Sequence, residues 1–410
     1  MKKRNNLILL TDSYPFGIGE LFLDKEVELL SHLYETIYVY SLEEDSVIAR
    51  PFPANLVLWN PMHLKSLHRT IYLLKALLFK EVWKDFFSVQ MRFKHKSTFL
   101  HFKILLADFM KAACIASDIS KYCSNYSIDM NQTIFYSYWH DSKALALCLI
   151  KNKYKIKAIA RGHGWDLDYP RHQPAYLPYK NFLVSTLDKS ISISEYGARK
   201  LRELTDFSYH DKIIVSHLGT LNTNTSLSAK NNNARIICSC SSLIPLKRVD
   251  RIIEVLASLQ LHNFHWVHFG DGPLRAELEN LANEFNLSAE FKGNVNNEEI
   301  LKYYAENYVD LFINLSTSEG IPVSIMEAQS AGIPVLALDV GGCSEIVNNE
   351  NGLLLPAEAT NSDIAKAITE YLTSPQESIE SKRSYSYENW KNNFSAEENY
   401  KEFVKMLTQI

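Results

Sequence analysis

The chain has 410 residues, 46% of them apolar and 22% charged, with a net charge of −4. That length exceeds one ordinary core and predicts two α/β domains with a cleft between them, while the composition excludes a disordered, collagenous or repeat protein. No run of 18 uncharged apolar residues occurs, and Met1-Lys2-Lys3-Arg4-Asn5-Asn6 leads into an apolar stretch too short for a signal peptide, so a cytoplasmic protein is expected.

Six cysteines, at 114, 123, 148, 238, 240 and 343, show no metal-ligand spacing and read as reduced core residues. The charge is unevenly spread. Residues 1–218 carry 29 Lys and Arg against 22 Asp and Glu, whereas the remainder carries 14 against 25. Residues 64–111 hold ten basic and three acidic residues, interleaved with apolar runs such as Leu73-Leu74-Lys75-Ala76-Leu77-Leu78-Phe79-Lys80. This is either an ordinary amphipathic helical face or a surface that docks on an anionic membrane, which would put the protein peripherally on the inner face of the cell membrane. The same interleaving, and the lack of a nucleic-acid motif, argue against a nucleic-acid partner.

In chain order, a strand at 7–11 runs into the loop Phe16-Gly17-Ile18-Gly19-Glu20, then a helical pattern from 21 to 33 and a strand at 36–40. Short apolar runs at 133–137, 156–160, 190–194 and 213–216 alternate with helical patterns at 142–151 and 196–204. Such alternation predicts parallel strands with crossover helices. Residues 219–233 are polar and aperiodic and read as an interdomain linker, which gives a first domain over 1–218 and a hinge about which the cleft would close. A second doubly wound sheet is expected over 234–385, with strands near 235–240, 265–269, 289–292, 310–314, 334–338 and 352–355. Residues 386–410, with Trp390, Phe394, Tyr400 and Phe403, read as closing helices that cross back.

The segment richest in chemistry is Ser318-Glu319-Gly320-Ile321-Pro322-Val323-Ser324-Ile325-Met326-Glu327. Pro322 suits a first helical turn, so Gly320 to Val323 should present free amides to an anion such as a diphosphate. Glu327, further into that helix, could accept hydrogen bonds from the vicinal hydroxyls of a ribose. Around it fall Leu243-Ile244-Pro245-Leu246-Lys247-Arg248 after the first strand, Phe269-Gly270-Asp271-Gly272-Pro273 after the second, and Phe291-Lys292-Gly293-Asn294-Val295 after the third. Each alone is also what an ordinary turn or helix start looks like.

In series, these segments resemble the retaining GT-B glycosyltransferases of family 4, whose E-x7-E pattern is matched by Glu319 and Glu327; the likeness covers most of 235–356. The resemblance implies a GT-B α/β fold of two Rossmann-like domains. It implies that Lys247 holds the diphosphate, that Gly270 and Asp271 shape the nucleotide pocket, that Val295 lies near the base, that Glu327 binds the ribose and that Glu319 contacts the donor sugar, with Arg248 beside them. Arg161-Gly162-His163-Gly164-Trp165-Asp166 resembles the family's R-x-H-x-x-D segment, which places His163 near the donor sugar and Asp166 on the acceptor side. The loop with Gly17 and Gly19 corresponds to the family's glycine-containing acceptor loop. A UDP- or GDP-sugar as substrate, a glycan or lipid-linked acceptor, no cofactor and no metal are implied. Relatives commonly carry an arginine near Ser241-Ser242, where this chain has serine. Two other readings stay open at this point: a phosphorylase or epimerase of the same architecture, and a catalytically silent glycan-binding scaffold. The first strand lacks the G-x-G-x-x-G of a dehydrogenase.

Overall fold

A computed structural model of the chain describes residues 4–17, 19–20, 22–43, 49–59, 66–94, 96–222, 234–261 and 263–410. The chain divides into two compact units, one of residues 1–216 with 400–410 and one of residues 217–399. Most of the expected linker, 223–233, lies outside the described residues.

Among the described residues, the first unit has a seven-stranded parallel sheet. Its strands are β1 (Arg4–Thr11), β2 (Tyr34–Ser41), β3 (Leu56–Trp59), β4 (Thr133–Ser137), β5 (Lys157–Gly162), β6 (Lys189–Ser192) and β7 (Ile213–Val215), in the order β3-β2-β1-β4-β5-β6-β7. Period-two alternation builds two cores, one on each face. Leu7 and Leu9 pack with Leu23, Val27 and Leu30 of the helix Leu23–Leu33, and with Phe403 and Leu407 from the C-terminal helix. Ile8 and Leu10 pack on the opposite face with Leu105, Phe109 and Ile119 of the helix Phe99–Asn125. The sequence pattern missed β3, whose four residues are too few to show periodicity. The basic stretch resolves into helices Ser66–Leu78, Lys80–Phe93 and Phe99–Asn125. No helix of the described residues is long and apolar enough to cross a membrane.

The second unit has a six-stranded parallel sheet of β8 (Arg235–Cys240), β9 (Phe264–Phe269), β10 (Ala289–Phe291), β11 (Leu311–Asn314), β12 (Val335–Leu338) and β13 (Gly352–Leu355), ordered β10-β9-β8-β11-β12-β13. Each expected strand of this half is present within a residue or so of its expected ends. One core holds Ile237, Trp266, Ile313 and Leu336 from four adjacent strands, with Ile252, Ile253 and Leu256 of the helix Val249–Ala257 and Ile364 and Ile368 of the helix Asn361–Leu372. The expected closing helices begin earlier than 386: Gln376–Asn393 belongs to this unit, and Ala396–Leu407 starts in it and ends in the first. Where the chain enters the unit, Thr220 N–H donates to Phe394 carbonyl at 3.0 Å and Trp390 Nε1 donates to Thr220 Oγ1 at 2.8 Å. A Cβ on Gly219 would fall 2.4 Å from Ala396 Cα, so the entering and leaving segments meet backbone to backbone.

In both sheets the strand order reverses beside the first strand, between β1 and β4 and between β8 and β11. In open parallel sheets, ligands bind outside the carboxyl ends of the strands at such a switch point.

Candidate active site

The loops at the β8/β11 switch point carry the second unit's polar residues. Glu319 follows β11 and is buried; its Oε1 accepts a hydrogen bond from Lys247 Nζ at 2.7 Å and lies 3.3 Å from Asn314 Nδ2. Lys247 ends the short 3-10 turn Pro245–Lys247 after β8. Arg248 next to it takes a left-handed backbone (φ 49°) that starts the helix Val249–Ala257, and its Nε pairs with Asp250 at 3.1 Å.

The helix after Glu319 runs Val323–Ser330, with Pro322 as its N-cap (φ −78°, ψ 113°) rather than its first residue. The extended ψ of Pro322 carries the chain into the helix one residue later than expected. The first amides inside the helix, at Val323 and Ser324, still have no carbonyl one turn back to bond, and Gly320 and Ile321 lead directly to them. Gly341 and Gly342, after β12, close over this loop. A Cβ on Gly341, itself at φ +60°, would lie 1.8 Å from the Glu319 carbonyl oxygen, and one on Gly342 would lie 2.2 Å from that of Gly320. Only backbone without side chains lets these loops touch.

Glu327 is buried one turn into the helix, and its Oε1 accepts a hydrogen bond from Asn297 Nδ2 at 2.5 Å. Burial pushes its carboxyl up to about 7, against the opposing pull of the Asn297 hydrogen bond. Asn297 opens the helix Asn297–Glu306, two residues after Val295, which is partly exposed. Gly270 (φ +128°) and Asp271 follow β9; a Cβ on Gly270 would lie 2.0 Å from Ser241 carbonyl oxygen, so this turn nests against the loop after β8. Asp271 binds Arg275 at 2.9 Å and is exposed. Ser242 is exposed, and Ser241 carbonyl accepts from His268 Nε2 at 3.1 Å, so neither serine is part of the Lys247–Glu319 contact.

The β1/β4 switch point of the first unit holds a separate group. The Glu20 carboxylate accepts from the backbone N–H groups of Asp12, Ser13 and Tyr14 at 2.9, 2.8 and 2.6 Å and from Trp139 Nε1 at 2.5 Å, which folds the loop carrying Gly17 and Gly19 back onto the end of β1. Lys143 is buried, with Nζ at 2.6 Å from both Asp12 and Asp141. Burial opposes its charge, but Asp141 and Asp12 outweigh that and hold the ammonium above its usual range.

His163 follows β5, with its ring 4.6 and 4.5 Å from those of Tyr138 and Trp139, and its Nε2 has no hydrogen-bond partner among the described residues. Burial, with the Arg161 charge beside it, lowers its pKa to about 3. Asp166 has a bracing job: its carboxylate accepts from the backbone N–H groups of His163 (2.5 Å) and His140 (2.6 Å), which leaves it buried. Arg161 is also buried; it forms an ion pair with Glu26, which accepts from Tyr136 Oη at 2.8 Å, and its guanidinium stacks 4.2 Å over Phe403.

Of the residues expected from sequence, the structure brings Lys247 and Glu319 into contact, puts Gly320, Ile321, Pro322, Val323 and Glu327 on the same loop and helix, and places Gly270, Asp271 and Val295 on the neighbouring loops. His163, Asp166, Gly17 and Gly19 belong to the other unit. Asn297, Asn314, Gly341, Gly342, Glu20, Trp139 and Lys143 were missed. The Gly341-Gly342 pair closing a strand was a readable signal; the asparagines were not.

Residues 223–392 match the family model for glycosyl transferases group 1. The match lies within the second unit, which carries the Lys247–Glu319 contact. It is similar to the O-antigen biosynthesis glycosyltransferase WbnH of Escherichia coli, 28% identical over 253 residues that make up 59% of this chain and 69% of WbnH. Its fold is that of sucrose-phosphate synthase from Thermosynechococcus elongatus (TM-score 0.72, 14% identity, 98% of each chain) and of Anabaena HepE, solved with UDP and glucose (TM-score 0.65, 16% identity, 98% of this chain and all of that one). The architecture is thus GT-B.

Proposed function

We propose that the protein moves a hexose from a UDP- or GDP-sugar onto a growing cell-surface glycan, with retention at the anomeric carbon and without a metal. The observation that carries this reading is the Lys247–Glu319 contact beside the open first turn of the helix Val323–Ser330, with Glu327 buried further along that helix. A nucleoside diphosphate leaving the sugar gathers negative charge. The Lys247 ammonium and the amides of Val323 and Ser324 supply positive potential there without reorganising. Glu327, presented by Asn297, is suited to the ribose hydroxyls, and Val295 lies two residues from Asn297, toward the base. Glu319 would turn from Lys247 to the donor sugar when the diphosphate takes the ammonium.

In the first unit, His163 is held neutral, so it acts as a hydrogen-bonding partner for a sugar hydroxyl and not as a cation. Asp166 works through it, by fixing the backbone of His163. Gly17 and Gly19 would lie along the acceptor. The printed ligands of HepE, UDP and glucose, agree with the donor class. A lipid-linked acceptor would suit contact of 64–111 with an anionic membrane, on its cytoplasmic face. Transfer from radiolabelled UDP- and GDP-sugars, with and without inorganic phosphate, tests the reading: donor hydrolysis or transfer independent of phosphate supports it, phosphate dependence points to a phosphorylase, and a lack of turnover points to a silent scaffold.

A further inference from the structure

Ten of the eighteen large apolar side chains that the described residues turn to solvent lie between Ile71 and Leu100. They are ordered. In the helix Ser66–Leu78 only Tyr72 and Ala76 are buried among the residues from 70 onward, a stripe one turn apart, and Leu74 and Leu78 face outward four positions apart. Leu78, at the corner before the helix Lys80–Phe93, is 86% exposed, while its neighbour Phe79 packs inward on Phe109 and Phe182. Trp83, Phe87 and Met91 continue the outward row at every fourth position, with Phe87 73% and Met91 75% exposed. Trp83 Nε1 donates to Leu77 carbonyl at 2.8 Å, which fixes the corner. Apolar faces this large mark interaction sites on soluble proteins.

A groove of about 500 Å³ lies between the helix Ser66–Leu78 and the helices Phe99–Asn125 and Ser142–Lys151. Its floor is apolar, with Phe109, Ala113, Leu149 and Ile150, and among the described residues the charged side chains that line it are Lys75, Lys121 and Lys153, with no carboxylate. Lys75 and Lys153 each lie over a tyrosine ring of the groove, Tyr72 at 5.3 Å and Tyr154 at 4.9 Å. An apolar floor under three ammonium groups is complementary to an amphiphile with a phosphate head. The helix that presents Leu74 and Leu78 is itself one wall of this groove.

We infer that residues 70–100 insert the Leu74, Leu78, Phe87 and Met91 row into a bilayer containing anionic phospholipid, with a phosphate headgroup seated among Lys75, Lys121 and Lys153. The inference rests on the reading of 64–111 as a membrane contact and adds the mode: apolar insertion together with a headgroup site, in place of surface attraction alone.

Flotation of the full chain with phosphatidylcholine vesicles, with and without phosphatidylglycerol, at low and high salt, tests it. The wild type floats with the anionic vesicles, and part of that binding survives high salt. Leu78→Asn with Phe87→Asn lowers partition by about tenfold or more, and each of Lys75→Gln, Lys121→Gln and Lys153→Gln by about fivefold. Failure of the wild type to float overturns the inference. So does binding that salt abolishes and the Leu78/Phe87 variant does not change, which leaves electrostatics alone. Self-association of the wild type that this variant removes, without vesicle binding, would assign the face to a second copy of the chain. Calorimetry with UDP on the same samples reports the donor site separately, so loss of vesicle binding and failure of the glycosyltransferase reading are distinguishable.

Discussion

Lys247 Nζ and Glu319 Oε1 stand 2.7 Å apart, joining the loop after the first strand of the second sheet to the loop after its fourth. Glu319 is buried but Lys247 keeps part of its side chain in solvent, so their contact contributes about 1 kcal/mol to stability. Its value lies in where it holds the ammonium. Lys247→Ala and Glu319→Ala should each lower sugar transfer by about a hundredfold or more while urea unfolding midpoints stay close to wild type. Wild-type turnover in both variants would remove these residues from the site.

Glu327 gives a pH signature. Its carboxyl titrates near 7 in the folded chain, above its ordinary value of 4.5. A raised pKa means that the stability advantage of the protonated form is complete below about 4.5 and is lost as pH rises through about 7, a change of up to about 3 kcal/mol. Glu327→Gln should therefore gain in melting temperature over wild type between pH 5 and pH 8. If the ionised carboxylate accepts the ribose hydroxyls, wild-type UDP affinity should strengthen over the same interval, and the Gln variant should bind weakly with a flat profile. Parallel melting and calorimetric series across this range check both.

Gly341 tests the loop packing. A methyl group there meets the Glu319 carbonyl oxygen at 1.8 Å, on a backbone with φ +60°. Gly341→Ala should displace Glu319 and reduce transfer about as strongly as Glu319→Ala, though no side chain of the pair has changed; steady-state kinetics at saturating donor would show it.

His163 should stay neutral through the physiological range. Its pKa near 3 follows from burial and from the Arg161 charge, so its ring resonances should not titrate between pH 5 and pH 8 in an NMR titration. A midpoint near 6.5 would mean a wetter setting than the one described. His163→Ala should lower transfer and leave UDP binding in place.

Arg161 and Glu26 form a buried ion pair under the first sheet, with Tyr136 and Phe403 completing its surroundings. Glu26→Ala leaves a buried guanidinium without its partner and should destabilise the protein by about 3–5 kcal/mol, read by urea unfolding. The arginine of the R-x-H-x-x-D segment therefore serves folding, and the histidine two residues on inherits its electrostatic consequence.

The second unit was legible because its signals are local. Apolar strands three to six residues long, separated by turn residues, show where the loops fall, and the spacing of Glu319 and Glu327 follows from one loop and one helix. Residues that act through tertiary contact were not legible. Asn297 matters because the fold brings it from the neighbouring helix to Glu327, thirty positions away; Glu20 matters because three successive amides happen to turn toward it. The basic stretch showed its helical period and its charge but not which apolar side chains stay in solvent. That depends on how few of them, Tyr72 and Ala76 among them, the underlying helices can cover.

The central claim is that the second unit holds a nucleoside diphosphate on Lys247 and the start of the helix Val323–Ser330, and a ribose on Glu327. Calorimetry of UDP, GDP, ADP and UMP with the purified wild type and with Glu327→Ala, in buffer without divalent metal, tests it most directly. Micromolar binding of one diphosphate, much weaker binding of UMP and loss of binding in the variant are the predicted result. Absence of binding by all four, or equal binding by wild type and variant, would contradict it.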